Sequence, residues 1–167
     1  FAIGTHPQEI GENGVDRAHF HYVHGTKTVP ESELVIEGHV RRATQHVSMQ
    51  TPRGVVDGKI EVEAHGMGCT IARFSGICDT VLVISHTPID AEHVDTRFSF
   101  TQRAKDGIAE RPGVAAAIIR DIVKQMREDI PIWENKRYEP RPTLCDGDGP
   151  IGAYRTWAKQ FYGALPA

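Results

Sequence analysis

The sequence predicts an α+β fold in which an antiparallel sheet curls around one long helix near the C-terminus. Two observations carry this. Six extended segments rich in Val, Ile, Thr and Phe succeed one another between residues 34 and 103, and one long helical stripe follows them. Strands joined by short turns make a meander, and a meander followed by a helix buries both apolar faces when the sheet wraps the helix, leaving a cavity between them. At 167 residues, 40% of them hydrophobic, the chain is long enough for one domain with a real core. The formal charge of −3, from 19 basic and 22 acidic residues, offers no patch for nucleic acid. No apolar run approaches the 18 or so residues of a membrane span.

Ahead of the strands, Asn13-x-x-Asp16-x-x-His19-x4-His24 gathers residues that suit a metal. Two imidazoles and one carboxylate on one face of an octahedral ion leave the opposite positions open, an arrangement that fits Fe(II) and dioxygen. A third ligand must then come from elsewhere in the chain. Residues five apart on a regular helix point about 140° from each other, so His19 and His24 converge only if the helix widens to a π-turn or ends between them. Asp16 and His19, three apart, share a face, where the carboxylate can accept the second ring N–H of a ligating histidine. Zinc is the alternative metal, but the glutamate of His-Glu-x-x-His is missing. Nine histidines also make chance pairs common, and His21 fits no ligand role.

The extended segments are 34–40, 46–50, 59–66, 69–75, 80–88 and 93–103. Within 55–62, Asp57-Gly58 suits the positive φ angles of a tight type I′ hairpin turn. Strand side chains alternate faces, so one set would line an apolar pocket. Met67, Ile71, Phe74, Val83, Phe98 and Phe100 are the candidates, each equally explained as ordinary core. His65 and Ser85 could orient a ligand there or stand as half-exposed strand residues.

The helical stripe runs over 113–129, with Ala115, Ile118, Ile119, Ile122, Val123 and Met126 on one side. Asp129 continues that stripe, whereas Glu128 falls on the solvated side. A carboxylate facing a core must be paired, hydrogen-bonded or on a metal. Pro131 disfavours helical geometry at Ile130 and predicts an end close to Asp129. An ordinary helix-end aspartate with an arginine partner is the plainer reading. Pro140, Pro142 and the glycines of 147–152 mark a loop, after which Tyr154, Trp157 and Phe161 recur at helical spacing and predict a docked final helix. Trp133 and Trp157 read as core or interface packing.

Taken with Arg127-Glu128-Asp129-Ile130-Pro131-Ile132-Trp133-Glu134-Asn135-Lys136, the Asn13 to His24 motif resembles the catalytic domain of Rieske non-heme iron oxygenases. Trp133-Glu134-Asn135-Lys136, Asp146-Gly147-Asp148-Gly149-Pro150-Ile151 and Tyr154-Arg155-x-Trp157-Ala158-Lys159-Gln160-Phe161-Tyr162 are similar to the ending of the steroid-acting branch, which includes 3-ketosteroid 9α-hydroxylases and cholesterol 7-desaturases. The likeness covers both ends of the chain and no motif of the middle.

The resemblance implies a helix-grip (Bet v 1/START-like) fold and a mononuclear Fe(II) held by His19, His24 and Asp129, with Glu128 the ligand if the match slips by one. It implies that Asp16 passes electrons from the Rieske [2Fe–2S] cluster of a neighbouring subunit in a homotrimer, and that Asn13 lies near the iron. O2-dependent hydroxylation or desaturation of a steroid-like molecule follows, with electrons from NAD(P)H through a ferredoxin or reductase partner. Rieske clusters need Cys-x-His and Cys-x-x-His pairs. Cys69, Cys78 and Cys145 have no histidine at those spacings and read as reduced thiols. Residues 1–167 are therefore expected to be the catalytic domain alone, the Rieske domain lying upstream and outside them. A cytoplasmic location is the expectation, since these residues carry no secretory segment. Two competing readings stand: a non-catalytic module that binds hydrophobic ligands in a helix-grip cavity, and a hydrolase using metal-bound water, which lacks an obvious general base.

Overall fold

Alternating branched and polar residues build a seven-stranded antiparallel sheet in the computed structural model, which describes residues 1–26, 29, 31–51, 54–76, 78–103 and 112–163. In chain order the elements are β1 (Ala2–Ile3), α1 (Pro7–Asn13), α2 (Arg17–Tyr22), β2 (Ser32–Glu37), β3 (Val40–Thr51), β4 (Gly54–His65), β5 (Cys69–Ser75), β6 (Thr80–Pro88), β7 (Val94–Gln102), α3 (Pro112–Asn135) and α4 (Ile151–Ala158). Strands β2 to β7 form the expected meander, and β1 adds an outer edge by pairing with β7. Two residues are too few to show a period, so β1 is invisible in the sequence.

Two strand boundaries differ from expectation. The segment 34–40 is split, because Gly38 at φ 58° reverses the chain between β2 and β3. Asp57-Gly58 is no turn: it lies inside β4, opposite Ser48 and Val47, and the Ser48 hydroxyl donates to Asp57 Oδ1 at 2.9 Å. The ladder of β3 with β4 runs on past it to the pair Thr51 and Gly54. A twelve-residue ladder on both sides outweighs the local preference of one dipeptide.

The long helix α3 lies across one face of the sheet in a helix-grip arrangement. Met126 and Trp133 join Ile3, Ile10 and Val94 in one core cluster, against which Phe98 and Ile130 pack. Further up the helix, Ile118 meets Ile60 and Phe74 around a small apolar cavity. Contrary to the sequence reading, α3 runs on through Pro131 to Asn135. Proline costs a helix one hydrogen bond and adds a clash, about 3 kcal/mol. Here the burial of Ile130 and Trp133 on either side of it offsets that cost, and the Asn135 side chain donates to the Pro131 carbonyl at 2.8 Å.

The tail docks as expected. Ile151, Tyr154, Trp157 and Ala158 of α4 cluster with Val15, and Trp157 Nε1 donates to the Gly38 carbonyl at 3.0 Å. Helix α1 passes beneath: a Cβ on Gly11 would lie 2.3 Å from the Tyr154 hydroxyl, which donates to the Gln8 carbonyl at 2.8 Å. Glu9 and Glu12 of α1 are buried, yet Lys136 reaches both at 2.8 and 2.9 Å, and Arg155 Nε donates to Glu12 at 2.6 Å. Burial works to raise the Glu12 pKa, and the two cations outweigh it and hold it lowered.

On the same sheet face, the buried Arg41 guanidinium lies 5.2 Å from the Tyr154 ring centre and donates to the Gly11 carbonyl at 3.3 Å. His86 is buried with Nδ1 3.0 Å from the Thr96 hydroxyl, and burial, reinforced by the Arg41 charge, pushes its pKa down to about 4. A histidine depressed in the folded state contributes stability that is present above the unfolded value near 6.5 and is lost as pH falls toward 4. Between pH 7 and 4, denaturant titrations of the metal-free chain should therefore show the native protein losing about 3 kcal/mol more than His86→Gln. Parallel pH profiles for the two would contradict this. Among the described residues no helix is long and apolar enough to cross a membrane.

Candidate metal centre

The site begins with a helix cap. Asp16 adopts extended geometry and its Oδ1 accepts from the His19 backbone N–H at 3.1 Å, starting α2 three residues before that histidine. The helix ends at Tyr22, where the Val23 N–H bonds back to the His19 carbonyl. His24 therefore lies beyond the helix, and this termination between the two histidines satisfies the condition their spacing imposes. Their rings stand nearly perpendicular, at 89°, with the two Nε2 atoms 3.0 Å apart.

Asp129, delivered by α3, completes the group. Its Oδ1 lies 2.9 Å from His19 Nε2 and 3.2 Å from His24 Nε2. His19 and Asp129 are each 8% exposed. Burial works to raise the Asp129 pKa, and the two imidazoles outweigh it and hold it lowered. Despite the short distances, Asp129 Oδ1 is buried with no hydrogen bond directed at it. Buried carboxylate oxygens are normally satisfied, so an orphan surrounded by ring nitrogens is a donor set turned toward a cation. The spacing has the right scale. Ligands on adjacent corners of an octahedron with bonds of about 2.1 Å lie about 3.0 Å apart, against about 3.4 Å for a tetrahedron. Separations of 2.9, 3.0 and 3.2 Å match one octahedral face.

Around this triad the structure departs from expectation in two places. Asp16 bonds to the backbone of His19 rather than to its ring, because an N-cap carboxylate is held by the first turn. Asn13 Nδ2 instead lies 3.5 Å from His19 Nε2. Glu128, expected on the solvated side, is only partly exposed: its Oε2 lies 3.2 Å from His24 Nδ1 and its Oε1 2.9 Å from Lys124. The i,i+4 spacing of Lys124 and Glu128 was the available signal for that pair, and nothing in the sequence linked it to His24. Burial lowers the His24 pKa, but Asp129 and Glu128 together outweigh this and raise it.

The apolar candidates divide. Register puts Phe74, Phe98 and Phe100 on the face toward α3, with Phe98 and Phe100 edge to face at 6.0 Å. Ile71 and Val83 pair with each other on the opposite face, Val83 being 39% exposed, so neither lines a cavity under the helix. His65 and Ser85 share that outer face, His65 bonding to Glu63 at 2.7 Å. Met67 sits in the turn after β4 and packs against the α4 cluster instead. His21 turns away from the triad, its Nδ1 2.5 Å from the Thr26 carbonyl. Cys69, Cys78 and Cys145 are free thiols.

Solved structures share this fold. NdmA of Pseudomonas putida CBB5 in complex with caffeine aligns over 95% of this chain and 49% of its own, at a TM-score of 0.73 and 15% identity. NdmB of the same organism gives 0.66 at 17% identity, over 95% of this chain and 47% of its own. In sequence, the chain is 29% identical over 180 residues to a probable 3-ketosteroid-9-alpha-monooxygenase oxygenase component of Rhodococcus rhodochrous, covering 95% of this chain and 44% of the relative. It is 26% identical over 193 residues to a cholesterol 7-desaturase of Caenorhabditis elegans, covering 96% and 43%. The chain thus spans less than half the length of these relatives. Residues 1–162 match the family described as the 3-ketosteroid 9alpha-hydroxylase C-terminal domain, and the chain belongs to that family.

Proposed function

We propose that this chain is the catalytic domain of a Rieske-type oxygenase that hydroxylates or desaturates a steroid-like molecule with O2 at a mononuclear Fe(II). The observation that carries the reading is the convergence of His19 Nε2, His24 Nε2 and Asp129 Oδ1, all within 4.8 Å of one another, with the aspartate oxygen lacking a donor. Steroid substrates are inferred from the names of the relatives, a 3-ketosteroid monooxygenase component and a cholesterol desaturase.

His19, His24 and Asp129 are the residues that would hold the iron. When bound, iron supplies the one-electron and dioxygen chemistry that amino-acid side chains lack. The protein's part is to keep two neutral imidazoles and one carboxylate on one face, leaving the other face open. Asp16 fixes the start of α2 and so the position of His19. We infer that it is also the link to a [2Fe–2S] cluster held outside these residues, in a neighbouring subunit of a homotrimer, fed from NAD(P)H by a reductase. Asn13, beside His19 Nε2, is assigned to the metal's surroundings. Phe98 and Phe100 keep the inner sheet face apolar, which favours a hydrophobic substrate and excludes water. A cytoplasmic location belongs to the same proposal.

The test is metal analysis of the chain purified anaerobically and loaded with Fe(II). About one iron per chain is expected, with its loss in His19→Ala. Failure of the native chain to hold stoichiometric metal would overturn the reading. Retained affinity for a steroid in that metal-free protein would establish the competing one, a hydrophobic-ligand binding module.

A further inference from the structure

We propose that Glu128 is a positioning residue for His24, selecting its tautomer and fixing its ring for the metal, and that Lys124 holds Glu128 in place. The proposal rests on the metal-site reading above.

The two histidines are constrained differently. His19 is inside α2, buried, with its backbone N–H on Asp16. His24 follows the helix end and precedes Gly25 at φ 69°, in a turn closed by the Thr26 N–H on the Phe20 carbonyl, so the regular helix does not aim its ring. Something else must aim the ring. A neutral imidazole carries one proton, and its Nε2 can offer a lone pair only when that proton is on Nδ1. Glu128 Oε2, 3.2 Å from His24 Nδ1, is an acceptor for that proton, while Nε2 faces Asp129. The second carboxylate oxygen, Oε1, is taken by Lys124 one turn earlier at 2.9 Å. This pins the side chain with Oε2 toward His24. Consecutive residues on α3 thus grip His24 from two sides, Asp129 at one ring nitrogen and Glu128 at the other. The same geometry separates Glu128 from the ligands. Its oxygens are engaged by His24 Nδ1 and Lys124, away from the triad's centre, whereas Asp129 Oδ1 faces the two Nε2 atoms.

The experiment titrates the whole chain with Co(II) alone and follows both affinity and the visible ligand-field spectrum. Removing the partner of a ligating histidine costs about 10–100-fold in metal affinity, and Glu128→Ala is expected in that range with an altered spectrum. Glu128→Gln keeps an amide oxygen able to accept from Nδ1 and should recover most of the affinity and the native spectrum. Because Glu128 lies at the surface, both variants are expected to fold, which circular dichroism checks.

Native affinity and spectrum in Glu128→Ala, with only thermal stability changed, would reduce Glu128 to a structural contact and overturn the proposal. Complete loss of cobalt in both variants would make it a ligand and equally overturn it. Failure of the native chain to bind cobalt at all would instead strike the metal-site reading itself.

Discussion

Asp129→Asn is expected to lower the affinity for Fe(II) by at least about 100-fold while leaving the metal-free chain folded and close to native stability. The substitution keeps volume and removes the charge. In the loaded state the site loses its one anionic ligand, so two imidazoles and an amide must hold a dication, a weaker set for a hard metal. In the metal-free state little is lost, because the asparagine amide fills the volume of the carboxylate and keeps an oxygen and an N–H that can meet the two ring nitrogens. An ordinary buried ion pair behaves oppositely, since breaking it destabilises the fold by about 3–5 kcal/mol. Iron analysis and denaturant melts on the same preparations separate the cases. Unchanged iron with a large drop in stability would show that the triad is a structural contact and that its shape is incidental.

Lys136→Met should show the reverse pattern, a loss of about 3 kcal/mol in stability and a midpoint lower by about 6–12 °C. Lys136 bridges Glu9 and Glu12, whose side chains are 6% exposed. Without it, Glu12 keeps Arg155, but Glu9 is left as a buried carboxylate that has lost the ammonium beside it. The double variant Glu9→Gln with Lys136→Met should regain part of the loss. Because α1 leads directly into Asn13 and the Asp16 cap, iron affinity should fall only secondarily. A melt shifted by less than about 2 °C would mean that water reaches these carboxylates.

These two outcomes bear on what the chain reveals before folding. The α+β class was legible because six segments share a period of two and one shares a period of 3.6, and both patterns survive small boundary errors. The facing of individual strand residues was not. A shift of one residue exchanges the two sides of a sheet, and Ile71 and Val83 lie on the side away from α3 for that reason. Pro131 and Asp57-Gly58 misled because tertiary burial and a long ladder overrode local preference. At the site, Asp129 was visible as the carboxylate closing an apolar stripe, and the five-residue spacing required the helix to stop before His24. Glu128 was not, since only the folded chain brings α3 beside residue 24.

His24 and Glu128 meet across 104 residues of sequence, with strands β2 to β7 in between. Closing so long a loop is entropically costly, and the cost is recovered only once β2 to β7 have paired and α3 has settled on them. In the order of folding, the donor set is consequently among the last features to form. A cation cannot act as its nucleus, for the unfolded chain offers the two histidines without the carboxylate. Completion of the triad thus reports the finished chain, since a molecule with an incomplete sheet does not bring Asp129 to the two histidines.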